Sequence, residues 1–167
     1  LKHSMECRAV ITSGWYQNLF PATKLARDQN EKREFQTTAR GFRFATSVGG
    51  TVLGSGGNFL IVDDLHSAEG ARSDTERETG LRWFDQTFSS RLNDKARGAI
   101  VVVGQRLHQA DITAHLLERG GWTHLYTPAV AEARTVYSFG KVHREREAGD
   151  ILHPEREGEA LIAEIRT

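Results

Sequence analysis

Two adjacent aspartates, Asp63 and Asp64, follow four apolar residues, Phe59, Leu60, Ile61 and Val62, in the stretch NFLIVDDLHSAEG. An apolar run of this length predicts a strand covered on both faces of a sheet, ended by the loop residues His66, Ser67 and Gly70. The two carboxylates then stand at a carboxyl edge. In open α/β sheets that edge is where ligands bind, and paired carboxylates there hold magnesium and orient a water. The plainer alternative makes one aspartate a helix cap and leaves the other in solvent.

A second apolar strand is expected from Ala99 to Val103, in GAIVVVGQRLH, ending at Gln105 and Arg106. Between the two lies SDTERETGLRWFDQTFSSRL, with Ser73 and Glu76 at capping-box spacing and Leu81, Phe84, Phe88 and Leu92 on one helical stripe. It reads as a long amphipathic helix with Trp83, Phe84 and Phe88 in the core. Strand, helix and strand in this order form the acidic half of a nucleoside-triphosphate site. Asp63 would hold magnesium through water, Asp64 would polarise the attacking water, and Gln105 would sense the terminal phosphate. The phosphate cradle G-x-x-x-x-G-K-[ST] does not occur in the chain. Gly140-Lys141 is its only Gly-Lys pair, with Thr135 and Val142 at the flanking motif positions. The glycines of residues 49–57 have no lysine among them, run into a strand, and are expected to form a flexible connection.

The remaining elements follow from periodicity and punctuation. Cys7, Val10 and Ile11 have helical spacing; with no initiating Met, the chain is expected to start inside a larger domain. SGWYQNLFP reads as a packed loop, and residues 34–47 as a β-hairpin turning at Ala39-Arg40-Gly41. Asp111 caps a short helix carrying Ile112, Leu116 and Leu117, which Gly120 and Gly121 end. Residues 122–128 are expected to form a third strand, stopped by Pro128. The alternation implies an α/β fold, a parallel sheet flanked by helices, with a β-hairpin. From Gly140 the chain is highly charged, and Pro154 is expected to open a last helix with Leu161, Ile162 and Ile165.

Composition narrows the partners. Lys plus Arg and Asp plus Glu each number 22 in 167 residues, so the net charge of zero argues against a surface wholly devoted to nucleic acid. Lys24, Arg27, Lys32, Arg33, Arg40 and Arg43 form a local basic excess that suits either a solvated face or a DNA contact. Cys7 is the only cysteine, which excludes an intrachain disulfide and a four-cysteine zinc site and suggests a reducing, cytoplasmic setting. No apolar stretch reaches the length of a membrane span. His108, Asp111 and His115 invite a metal reading, but Asp111 is more simply a cap. No G-x-S-x-G supports serine catalysis.

The blocks WYQNLFPATKLARDQNEKREFQTTARGFRFATSVGGTVLGSGGNFLIVDD, LRWFDQTFSSRLND, GAIVVVGQRLHQADITAHLLERGGWTHLYTPA and GDILHPERE, in this order, resemble the large terminase subunit of tailed bacteriophages. That family forms the ATP-driven motor that packages DNA into proheads and cuts it. The resemblance implies a partial RecA-like P-loop NTPase fold over residues 1–139, without its phosphate-loop strand, and a charged tail over 140–167 leading toward a nuclease domain. It implies that FLIVDD is the Walker B strand, with Asp63 as the magnesium residue and Asp64 as the catalytic carboxylate. Gln105 and Arg106 would belong to the segment coupling hydrolysis to movement. Leu65 stands where the family commonly has proline. Mg and ATP are the implied cofactors. Double-stranded DNA, the small terminase subunit and the portal protein are the implied partners, in a homo-oligomeric motor. On this view the chain is the middle of a terminase, or a truncated prophage remnant without catalysis; a piece of a helicase-type ATPase is a third reading. Arg43 and Arg91 are cations that could in principle act across a subunit boundary in such a motor, but nothing in the sequence singles out either one.

Overall fold

The computed structural model describes residues 2–50, 52 and 54–165. The chain divides into two compact units, Leu1–His115 and Leu116–Thr167. It is mixed α/β, with one parallel strand pair and two antiparallel sheets among the described residues.

The first unit opens with α1 (Lys2–Thr12). Ser13 then accepts a hydrogen bond from the Tyr16 amide and caps α2 (Gly14–Leu19). The segment expected to be a packed loop is therefore helical, because the Ser13 cap starts a new turn at Gly14. Its apolar residues are not core: Trp15, Leu19 and Phe20 are 66%, 56% and 51% exposed. Next come β1 (Leu25–Asn30), β2 (Glu34–Thr37) and β3 (Phe42–Phe44), an antiparallel sheet in that order. Its expected hairpin is present, with Arg40 at φ 65° in the turn and Phe35 buried. The strand β1 had no apolar alternation to announce it, its sequence being LARDQN.

Parallel pairing joins β4 (Phe59–Asp63) to β5 (Ala99–Val103), in register from Phe59 against Ala99 to Asp63 against Val103. The crossover is α3 (Asp74–Trp83), whose Ser73 cap accepts from the Glu76 amide. A π-helical turn over Phe84–Phe88 and a 3-10 turn over Ser89–Arg91 follow, so the expected single helix is broken in its second half. The wider turn still buries Phe84 and Phe88, with the Trp83 ring 5.2 Å from that of Phe88.

Burial in β4 alternates, which corrects the expectation of a strand covered on both faces. Leu60 and Val62 are buried, while Phe59 and Ile61 are 69% and 65% exposed, and Val101 and Val103 of β5 are exposed as well. An unbroken apolar run records only that no position demands a polar group; what covers each face is set elsewhere. At the end of the glycine-rich stretch, Gly57 is tied to Arg91 and Asn93 by backbone hydrogen bonds: its amide donates to the Arg91 carbonyl and its own carbonyl accepts from the Asn93 amide, at 3.0 and 2.9 Å. A Cβ at Gly56 would stand 2.9 Å from that same Arg91 carbonyl, so this glycine permits close backbone approach. Residues 51 and 53 of the stretch lie outside the described ones.

Among the described residues no third strand joins β4 and β5, so each has an edge of unpaired backbone groups beside an exposed apolar face. Such edges template association. The isolated chain is expected to self-associate or to unfold without a sharp transition; sedimentation giving a clean monomer with two-state unfolding would count against this.

The helix α4 (Ile112–Arg119) straddles the division between the units and ends at Gly120 and Gly121, with φ of 72° and 78°. Residues 122–128 do not form the expected third parallel strand. Left-handed glycines precede them, Pro128 has no amide to donate, and Leu125 and Tyr126 are 56% and 49% exposed. The second unit instead builds an antiparallel hairpin from β6 (Thr135–Phe139) and β7 (Val142–Arg146). Gly140-Lys141 is its two-residue turn, with φ 61° at the glycine. Arg146 is buried at the end of β7 and donates to the carbonyls of Pro128, Ala129 and Asp150 at 2.9, 3.4 and 2.6 Å. The last helix, α5 (Glu159–Ile165), starts later than Pro154, because the Arg156 and Glu157 amides first close a turn on the His153 carbonyl. It carries Leu161 and Ile162; the side chain of Ile165 lies outside the described ones. No helix among the described residues is long and apolar enough to cross a membrane.

Candidate functional site

The parallel register fixes where the chemistry-bearing residues go. Asp63 ends β4 opposite Val103, and the Asp64 amide donates to the Val103 carbonyl at 3.0 Å. Gln105 follows two residues later on the other chain segment, so Asp63, Asp64 and Gln105 share the carboxyl end of the pair. The two carboxylates have different surroundings. Asp63 belongs to the exposed face of β4 with Phe59 and Ile61. Asp64 takes φ 46°, a left-handed conformation that aspartate accepts better than most residues, and this breaks the strand alternation. Its carboxylate comes to lie over Gly104, where an added Cβ would be 3.6 Å from Oδ1.

Asp64 and Gln105 line one small pit together with His66, Asp111, Leu65, Gly104 and a few apolar neighbours. Its volume is about 10 Å³, which is room for a single water and far below that of a nucleotide pocket. Asp111 closes one side. It is 3% exposed, accepts from the Ala114 amide through Oδ1 at 3.1 Å, and thereby caps α4 as its sequence position implied. Its Oδ2 accepts from Arg106 Nε at 2.9 Å. Arg106 is therefore held by the cap residue, a role the sequence reading did not give it.

Burial by itself would raise the Asp111 carboxyl, but the Ala114 amide, the Arg106 guanidinium and the His108 amide together outweigh it and hold its pKa below the ordinary value. A depressed carboxyl contributes stability that is complete above the unfolded pKa of about 3.9 and is lost as pH falls through the folded one. Asp111→Ala is expected to cost about 1–2 kcal/mol at neutral pH. In acid unfolding followed by circular dichroism, the difference from the parent should shrink below pH of about 4. An equal gap at every pH would contradict this.

The other sequence candidates separate from the pit. His115 Nε2 lies 2.9 Å from Asp85 Oδ2 on the π-helical turn, so its partner is not Asp111 four residues earlier. His108 Nδ1 accepts from the Ala110 amide. Arg91 Nε donates to the Thr87 carbonyl within its own turn, and Arg43 is part of β3.

No family model, curated protein or solved structure matches the chain. The fit of any cofactor therefore rests on the donor set alone. Two exposed carboxylates at a strand end suit a magnesium ion held mainly through water, which is how that ion commonly binds. Among the described residues no cluster of three or more His, Cys, Asp or Glu side chains offers a fuller coordination shell. A triphosphate does not fit these residues by themselves: the pit is water-sized, and its lining residues among the described ones include no lysine.

Two contributors were missed in the sequence. His66 was read as a loop residue and Asp111 as a cap, yet both line the pit. Opposite charges at Arg106 and Asp111 across a loop were a usable signal for the second.

Proposed function

We propose that this chain carries the water-orienting and magnesium-facing half of an ATP site, within a motor like that of the large terminase subunit of tailed bacteriophages. The observation that carries the reading is the parallel register of β4 and β5, which delivers Asp63, Asp64 and Gln105 to one carboxyl edge. The ordered sequence blocks that resemble the terminase family add to it, and so does the left-handed Asp64, since residues held in unusual backbone conformations cluster at functional sites.

In this reading Asp63 faces solvent to hold a hydrated magnesium ion, which when bound would offset phosphate charge. Asp64 and Gln105 line a pit of one-water size, where a carboxylate orients the water and accepts its proton while an amide reads the adjoining group. Arg106 stays paired with Asp111 and so fixes the loop that carries Gln105. Double-stranded DNA, a small terminase subunit, a portal protein and further copies of the same motor are the partners that belong to this reading. A RecA-like sheet would need its phosphate-loop strand beside β5, whose outer edge is unpaired among the described residues.

The flanking coding sequence tests the proposal directly. A G-x-x-x-x-G-K-[ST] segment in frame upstream supports it. Stop codons on both sides favour a non-catalytic prophage remnant acting through other packaging proteins.

A further inference from the structure

We propose that His66 is the positioning residue for Asp64 and that Gly80 provides the notch receiving its ring. Its functional meaning rests on the reading of Asp64 given above. The contact itself does not.

Gly80 is buried in α3, where a glycine is a poor helix former, and its φ is not positive, so its backbone conformation does not call for glycine. Space does. A Cβ built there would stand 2.5 Å from His66 Nε2, 3.1 Å from Cδ2 and 3.4 Å from Cε1, so a methyl group would clash with the Nε2 edge of the ring unless the ring moved. The same Nε2 lies 3.3 Å from the Arg77 carbonyl. A carbonyl only accepts, so this hydrogen bond requires a proton on Nε2. Arg77 is itself anchored: it is 7% exposed, and Nη1 donates to the Ala71 carbonyl at 2.6 Å. The ring is thus pinned to a rigid stretch of helix.

His66 is only two residues beyond Asp64 and lines the same pit. The left-handed turn at Asp64 is tied on one side by its amide to the Val103 carbonyl. The docked ring ties the other side. Between them the Asp64 carboxylate is kept over Gly104 instead of returning to the sheet face that Asp63 occupies.

A double-mutant cycle with Gly80→Ala and His66→Ala in the whole chain tests the proposal, read by hydrogen exchange, urea unfolding and imidazole nitrogen NMR. With His66 present, Gly80→Ala should lower the unfolding midpoint, reduce protection of the Asp64 amide by about tenfold, and abolish the fixed Nε2-protonated signature. With His66→Ala in place the notch is empty. The same Gly80→Ala change should then raise the midpoint, as alanine is the better helix former, while Asp64 stays poorly protected. Should Gly80→Ala alone fail to fold, recovery of folding in the double variant shows the same reversal. The proposal is overturned if Gly80→Ala has one sign in both backgrounds, if neither Gly80→Ala variant folds, or if His66→Ala leaves Asp64 protection unchanged. None of these readouts involves nucleotide, so failure here and failure of the ATP-site reading are separable.

Discussion

Phe84→Ala is expected to remove most of the stability of the first unit. Phe84 is 1% exposed and sits where the π-helical turn leaves α3, with the Phe88 ring 6.0 Å away. Truncating a buried phenylalanine removes its transfer free energy and leaves a cavity, together about 3–5 kcal/mol. Whole domains are stable by only about 5–15 kcal/mol. This unit also leaves Phe59, Ile61 and Val103 exposed on β4 and β5, so a value at the low end is expected and the loss is a large share of it. Phe59→Ala is the matched control: at 69% exposure it should change stability by less than about 0.5 kcal/mol and should reduce self-association. Urea unfolding of both variants checks this. A similar midpoint for the two would mean that the core does not lie where the burial places it.

Asp64→Asn should separate turnover from affinity in a chain extended upstream to include a phosphate loop. Asparagine keeps the size and tolerates the left-handed conformation that Asp64 adopts at φ 46°, so the turn and the pit should survive. What it loses is the negative charge and the capacity to accept a proton. Removing a general base typically costs about 10²–10⁴-fold in rate. Affinity should change little or rise slightly, because one negative charge facing a polyanion is gone. Steady-state turnover and nucleotide titration on the same preparation give the split. Equal losses in both would point to a structural role for Asp64.

Much of the first unit was legible because its signals were local. Ser73 before a periodic helix, Gly41 after Arg40 in a hairpin turn, and Asp111 ahead of Ile112 each state a backbone preference that tertiary contacts did not override. The parallel pairing of β4 and β5 followed from two apolar runs joined by a helical crossover. Coverage was not legible. Phe59, Ile61, Val101 and Val103 read as core, yet they are exposed, because hydrophobicity says what a face tolerates and not what lies against it. Residues 122–128 resembled a strand in composition, but left-handed Gly120 and Gly121 precede them and Pro128 supplies no donor. The strands of the hairpin from Thr135 to Arg146 are hidden in the sequence by their charges; the buried anchor is Arg146, whose bonds to the Pro128, Ala129 and Asp150 carbonyls involve no opposite charge that a sequence would display. At the site, Asp63, Asp64 and Gln105 could be placed from pattern alone. His66 could not, since its docking depends on a glycine in a helix fourteen residues away, although a glycine inside an amphipathic helix is itself a hint of close approach.

Steady-state phosphate release from magnesium-ATP tests the central claim most directly, measured in parallel on the purified 167-residue chain and on the chain extended at its start to include a phosphate loop. Phosphoryl transfer depends on positioning and charge stabilisation, and here two carboxylates would meet a polyanion without the G-x-x-x-x-G-K-[ST] cradle, while Arg106, which follows Gln105, is engaged by Asp111. The account predicts no release above background from the chain alone and release from the extended chain that is lost in Asp64→Asn. Turnover from the chain alone that disappears in Asp63→Ala, or an extended chain bearing a phosphate loop that folds yet neither binds nor hydrolyses ATP, would contradict it.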